Sequence, residues 1–190
     1  MKEIIRQIVS DSIAVKQKAV EDNIDTLVRA VDAIGKTLKK DGKIILFGNG
    51  GSAADSQHVA AEFIGRFQKE RKSIPAIALT TDTSILTALA NDYSFDVVFS
   101  RQLEGLGTSK DIAIGLSTSG NSKNVFEAIK TAKKIGMKTI SLTGGTGGLI
   151  ARASDISIIV SSKNTARVQE SHICLAHVIC ELVERKFSKK

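Results

Sequence analysis

Lys43-Ile-Ile-Leu-Phe47 runs directly into Gly48-Asn-Gly-Gly-Ser-Ala-Ala-Asp-Ser-Gln-His-Val-Ala-Ala-Glu62, and the reading of this stretch decides the fold. The first five residues are a short apolar, β-branched run, the pattern of a strand buried on both faces. Gly50 and Gly51 stand where that strand must turn sharply into a helix. The spacing predicts Ser52 as the N-cap, with Ala53, Ala54 and Asp55 opening the helix and an acid in its first turn. A helix that begins beside a strand end presents free backbone N–H groups and the positive end of its dipole, a setting that suits a phosphate. His58 and Glu62 are four apart and share one face of the helix, so an imidazole and a carboxylate lie together one turn further on.

Three other readings fit the same residues. The glycines serve a plain strand–helix turn; His58 and Glu62 form a solvated pair; or Gly48-x-Gly50-x-x-Ala53 is a loose dinucleotide fingerprint. The last requires an acid about twenty residues on, at the end of a second strand. That region is Gln68-Lys-Glu-Arg-Lys72, a charged loop with no strand before it, which argues against a dinucleotide.

Working outward, the strand–helix alternation repeats. Pro75–Leu79, Asp111–Leu116, Lys138–Leu142 and Asp155–Val160 read as further strands. Helices are expected at 83–90, from Val97 to Leu106, from 123 to about 134, and from Thr165 to about Phe187. Asn91-Asp-Tyr-Ser94 reads as a helix break, and Arg101, Gln102 and Gly105 as surface. Residues 1–40 form a helical arm, with Ile4, Ile5, Ile8, Val9 and Ile13, then Ile24, Leu27, Val28, Val31, Ile34 and Leu38, at helical spacing. An arm apolar on one side needs the rest of the domain or another subunit to pack on. Five strands alternating with helices mean an α/β fold, a parallel sheet covered on both faces and forming three α/β/α layers. No repeat or linker divides the chain, so 1–190 reads as one domain, an arm over 1–40 and an α/β core over 41–190.

In such a sheet the site forms at the carboxyl ends of the strands. This makes neighbours of Gly48–Ser52, Thr80–Ser84 and Ser117-Thr-Ser-Gly-Asn-Ser122. The last loop has four hydroxyls in six residues and a helix start behind it, a phosphate-loop pattern without lysine; a simply capped turn would need only one or two of them. Thr143-Gly-Gly-Thr-Gly-Gly148 permits either a close backbone approach or a flexible turn. The last helix is apolar nearly all round, so it is expected to be buried on most sides. Gln169 and His177, eight apart, lie near one face of it, and His172 lies on another. Spacing alone makes none of them a ligand.

Composition narrows the classes. Hydrophobic residues at 42% and charged residues at 25% are those of an ordinary globular chain. There is no eighteen-residue apolar run and no signal-peptide core, so no membrane partner is expected and a cytoplasmic location is. Cys174 and Cys180, six apart on one helix, are expected as reduced thiols. A net charge of +7 invites nucleic acid, but the lysines are scattered and aromatics are only 4%, so no nucleic-acid partner is expected.

Five stretches, in order, resemble the phosphoheptose isomerases of the sugar-isomerase-domain superfamily. They are Gly48–Glu62, Leu79-Thr-Thr-Asp-Thr83, Ala90-Asn-Asp-Tyr93, Gly115-Leu-Ser-Thr-Ser-Gly-Asn-Ser122 and Thr165-Ala-Arg-Val-Gln-Glu-x-His172. The resemblance implies a flavodoxin-like sheet, a homotetramer with active sites between subunits, and one Zn²⁺ per subunit held by His58, Glu62, Gln169 and His177. It implies that Ser117, Thr118, Ser119 and Ser122 hold the substrate phosphate with Ser52 assisting, and that Asn49, Gly50, Gly51, Asn91 and Asp92 contact the sugar, with Gln169 also at the substrate. Glu62 and His177 become the acid–base pair. The implied reaction turns D-sedoheptulose 7-phosphate into D-glycero-D-manno-heptose 7-phosphate through an enediol, the first step toward heptose for cell-envelope polysaccharide. Ala166 stands where some members carry an acid, so no role of that acid carries over. Two rivals keep the fold without the chemistry: a regulator that binds the bacterial replication initiator, a relative of the isomerases that lacks parts of the metal and acid–base set, and a phosphosugar sensor, which would tolerate loss of Glu62.

Overall fold

The computed structural model describes residues 1–188. Helix α1 (Lys2–Leu38) leads into β1 (Ile44–Gly48) and α2 (Gly51–Ile64). Then come β2 (Ala76–Ala78), α3 (Thr83–Asp92), α4 (Ser100–Leu106), β3 (Ile112–Ser117) and α5 (Lys123–Ile135). The chain closes with β4 (Lys138–Gly144), α6 (Gly148–Ala153), β5 (Ile156–Val160) and α7 (Thr165–Phe187). All strand pairs are parallel, in the order β2-β1-β3-β4-β5. The expected α/β/α layering is present. Side chains alternate along each strand, so Ile44 and Leu46 enter the core beneath α1, α2 and α7, while Ile45 and Phe47 enter the one beneath α4 and α5. Every residue of β1 is buried, as a strand covered on both faces requires.

The expected arm is one continuous helix, and its second half packs on α7 and β5. There Asn23 donates to Ile159 O and accepts from Ile159 N–H, which occupies the open edge of β5. Helix α3 runs through Asn91 and Asp92 instead of breaking before them, closed by Asp82 as a side-chain cap at its start. The expected 97–106 helix is a 3-10 turn at Phe95–Val97 followed by α4, because Ser94 caps a separate first turn. Gln102 is not surface: it is 7% exposed and donates to Leu79 O and Val98 O, tying α4 to the end of β2. Helix α6 carries no apolar period of its own and was not visible in the sequence pattern. It starts from Gly147 at φ +88°.

No residue of α7 from Arg167 to Glu184 is exposed, as its encircling apolar pattern predicts. Cys174 and Cys180 are free thiols within it. Arg167 donates to Ile8 O and Glu170 accepts from Ser12, so two residues of the Thr165–His172 motif hold α1 against α7. His172 is fully buried, pushed down to about 4 by burial, and therefore a neutral core residue.

The charged loop after α2 is held by one buried ion pair. Glu184 accepts backbone N–H bonds from Phe67, Gln68 and Lys69 and an Nε–H from Arg71, and Arg71 in turn donates to Glu62 O and Phe63 O at the end of α2. Burial pushes the Glu184 carboxyl up, but the three N–H donors and Arg71 outweigh it and hold it below the ordinary glutamate value. Glu184→Ala leaves Arg71 buried and unpaired, and is expected to cost about 3–5 kcal/mol in urea denaturation at neutral pH. Because the folded-state value is the lower one, Glu184's contribution is complete above the unfolded glutamate value. The gap between wild type and variant is therefore expected to close as pH falls through the folded-state value.

Candidate functional site

The order β2-β1-β3-β4 places the loops after β1, β2, β3 and β4 side by side. The turn after β1 is built from backbone alone. Gly50 adopts φ +54° and ψ −119°, a conformation essentially restricted to glycine, and is itself the N-cap of α2. This corrects the sequence expectation: Ser52 is not the cap but a buried residue of the first helical turn, and Asp55 lies beyond that turn. The tight glycine turn starts the helix two residues early. The first turn of α2 consequently keeps its N–H groups free of any side-chain cap.

The loop after β3 shows the same feature. Ser122 occupies the N-cap position of α5, yet its side chain makes no capping bond; its Oγ lies 2.9 Å from Ser117 Oγ. Ser117 and Ser119 hydroxyls are 3.4 Å apart. By contrast, α3 and α7 close their first turns with Asp82 and Asn164 side chains. Three serine hydroxyls gathered over an uncapped helix start are what a phosphate needs, and a capped turn leaves them unexplained. Thr118 lies between them, its O packed against Gly144, where a Cβ would approach to 2.3 Å.

The glycine run after β4 is a close approach and not a loose turn. Gly120, at φ +68°, has Gly147 O where its Cβ would stand at 2.3 Å, and the N–H groups of Ile150 and Leu149 donate to Gly120 O and Asn121 Oδ1. The start of α6 therefore props up the serine loop. Gly120→Ala is expected to lower Tm by several degrees and weaken inorganic phosphate binding, since both backbone angle and space are lost. Gly50→Ala meets no neighbour and is expected to cost only about 1–3 kcal/mol of backbone strain. Thermal melts with and without phosphate read the difference.

Across from the serine loop, α2 and α7 bring together His58, Glu62 and His177, whose donor atoms all lie within 4.8 Å of one another. His58 Nε2 is 2.9 Å from His177 Nε2 and 3.4 Å from Glu62 Oε1. Phe67 packs against His177 with ring centroids 5.3 Å apart and the planes tilted by 46°. Burial and the neighbouring His58 push the His177 imidazole down, against the pull of Glu62 and Asp55. Gln169 packs directly on Gly51, where a Cβ would come within 2.4 Å of its Nε2. Any residue but glycine at that position would displace it.

Two residues here were missed in the sequence. Asp55 is buried beside Gln169, with Oδ2 lacking a partner; burial raises its pKa, opposed by the Gln169 amide and the two imidazoles. Its position four residues after Gly51 on α2 was the available signal, but it was read as a first-turn acid. Asn124 is the second. Its amide and that of Asn49 bond reciprocally, at 2.8 and 2.9 Å, so the Asn49 side chain is engaged with protein and its loop offers backbone toward the cleft. Asn91 and Asp92 stand apart at the end of α3, exposed, with Asn91 donating to Asp92; within one chain nothing brings them to the cluster.

The SIS domain family model matches residues 9–144. A phosphoheptose isomerase from Aquifex aeolicus is 52% identical over 97% of this chain and 96% of its own length. The structure of a phosphoheptose isomerase from Neisseria gonorrhoeae superposes with a TM-score of 0.92 at 45% identity, covering 97% of this chain and 98% of the other. The sugar isomerase domain of an RpiR transcription factor from Sphaerobacter thermophilus, at 17% identity, TM-score 0.69 and coverage of 97% and 92%, shares the fold.

Proposed function

Because the chain belongs to the phosphoheptose isomerase family of SIS-domain proteins, we propose that it converts D-sedoheptulose 7-phosphate into D-glycero-D-manno-heptose 7-phosphate. The observation that carries this reading is the pairing, at one end of one sheet, of an open serine loop with an imidazole–carboxylate–imidazole cluster. The first suits a phosphate and the second suits proton transfer at the far end of the sugar.

The cluster fits a divalent cation. Two imidazole Nε2 atoms face each other at hydrogen-bond distance with a carboxylate oxygen beside them, a nitrogen and oxygen donor set suited to Zn²⁺. His58, Glu62 and His177 would hold the ion, with Gln169 from α7 as the fourth ligand. Bound there, zinc would supply positive charge to stabilise the oxyanion that develops on the sugar.

The chain's own residues do the rest. Ser117, Thr118, Ser119 and Ser122, with Ser52 and the uncapped starts of α2 and α5, anchor the phosphate. The backbone of Asn49, Gly50 and Gly51 lines the sugar. Glu62 turns Oε1 toward His58, and its carboxylate takes the proton from C1 and returns it to C2. His177 gives a proton to the C2 oxygen and takes one from the C1 oxygen, so the enediol forms and collapses without net change in protons. No hydride leaves the substrate, and the chemistry requires no nicotinamide.

What α1 and α3 leave uncovered supports a homotetrameric reading. Ile4 is 64% and Ile13 54% exposed, along the same stripe as Ile5, Ile8 and Val9, while Ile85, Tyr93 and Phe95 lie open around α3. A homotetramer would cover these faces and bring Asn91 and Asp92 of one subunit to the sugar bound in another. No helix among the described residues is long and apolar enough to cross a membrane. The reading places the enzyme in the cytoplasm, feeding heptose to cell-envelope polysaccharide such as lipopolysaccharide.

The test uses protein stripped with chelator and assayed with and without Zn²⁺ on sedoheptulose 7-phosphate in D₂O, with aldose formation and deuterium at C2 followed by NMR. Zinc-dependent conversion is expected, with Glu62→Gln reducing kcat at least about 100-fold. Absence of conversion with any divalent metal, while phosphosugar still binds, would replace the enzyme with a sensor. Light scattering is expected to give a tetramer, and Ile5→Glu combined with Ile8→Glu to break it down.

A further inference from the structure

The last residue pair between β1 and β3 is Gly48 with Leu116. Beyond it the two chains diverge, one into the Asn49–Gly51 turn and the other into the serine loop. The backbone ladder that holds them at a fixed distance has ended just where the proposed site begins. The next link between them is the Asn49–Asn124 pair.

Asn124 lies in the first turn of α5, two residues past Ser122, and is 3% exposed. Its Oδ1 accepts the N–H of Val125 at 2.9 Å. That bond settles which end of the amide is oxygen, because Nδ2 carries no acceptor lone pair for a backbone N–H. Nδ2 must then face Asn49 Oδ1, and Asn49 Nδ2 faces Asn124 Oδ1. The distances of 2.9 and 2.8 Å agree with this closed two-bond ring. Asn124 is buried and Asn49 half-buried, and amides withdrawn from water are costly unless both partners are satisfied, as here they are. An apolar pair would join the two segments without fixing their register.

We propose that Asn124 is a positioning residue: through Asn49 it locks the turn that opens α2 to the start of α5, and so fixes the separation between the phosphate anchor and the proton-transfer cluster. The inference rests on the isomerase reading. Four of the phosphate hydroxyls, those of Ser117, Thr118, Ser119 and Ser122, sit on the β3–α5 side with only Ser52 on α2, whereas Glu62 and His58 ride further along α2, which begins at Gly51. With the clamp removed, the phosphate still finds its serines, but the reacting carbons are no longer held opposite Glu62. The loss therefore falls on the chemical step more than on binding.

The zinc-loaded protein is assayed with sedoheptulose 7-phosphate, and inorganic phosphate serves as a competitive probe of the anchor. Asn124→Ala is expected to lower kcat roughly 10- to 100-fold, with KM and the phosphate Ki each within about threefold of wild type. A double-mutant cycle supplies a readout that general destabilisation would not give: in an Asn49→Ala background, Asn124→Ala is expected to add nothing. Should Asn124→Ala fail to fold, Asn124→Asp decides. It keeps an acceptor for Val125 N–H and Asn49 Nδ2 but cannot donate to Asn49 Oδ1, and it is expected to lose kcat with KM kept. Wild-type kcat in the substituted protein, a parallel loss of phosphate affinity, or additive effects in the cycle would overturn the clamp while leaving the isomerase reading intact. Wild-type protein inert toward the substrate would overturn the isomerase reading and this role with it.

Discussion

A parallel sheet must bury both of its faces, and this structure follows from that requirement. Each strand of the sheet returns through a helix, so all carboxyl ends point one way and all helix starts gather at the same end. β1, buried throughout, sits between β2 and β3, so its exit turn lies beside that of the central strand β3. The turn must be tight, and Gly50 allows it to be made from backbone alone. One consequence is that the N-cap residues of α2 and α5, Gly50 and Ser122, place no capping side-chain bond over the first-turn N–H groups.

The same packing explains where the His58–Glu62–His177 cluster lies. No residue of α7 from Arg167 to Glu184 is exposed, because the helix lies between α1, α2 and the sheet. A polar side chain can survive there only against a partner or at an opening. His172 faces the core and is neutral; Gln169 and His177, on the face toward α2, meet Gly51 and His58 instead. The buried Glu184–Arg71 pair fixes the loop that carries Phe67 against His177. The two sets of charged groups on this helix are thus adjacent but separate: Glu184 is consumed by three backbone donors and Arg71, while His177, two turns earlier, faces His58 and Glu62.

Strand positions and the last helix were legible in the sequence because buried parallel strands are unbroken apolar runs and a helix buried all round shows no polar face. The gathering of Gly48–Ser52 with Ser117–Ser122 followed from topology. The failures are of another kind. Ser52 carries the usual signature of a cap, but cap position depends on the φ of Gly50, which composition does not report. Gln102 has the makeup of a surface residue and is buried because Leu79 O and Val98 O need a donor there. Helix α6 is too short to carry a period, and Asn124 has no feature in the sequence that sets it apart from other polar residues at helix starts. In each case the deciding partner lies far away along the chain or in a backbone angle.

Fold alone would not have chosen a function, since at 17% identity the same sheet serves a transcription factor. What distinguishes this chain is the combination of groups at one sheet end. A serine loop by itself would suit any phosphosugar sensor. An imidazole pair by itself would suit a structural metal. Ketose–aldose isomerisation needs an anchor at one end of the sugar and a proton-transferring carboxylate at the other, held in a fixed relation. Asn49 and Asn124 bridge the turn that leads to Glu62 and the helix start behind the serines. The bridge has no obvious use if only one of the two halves binds anything, and it is this coupling of the halves that a catalytic reading explains and a binding-only reading does not.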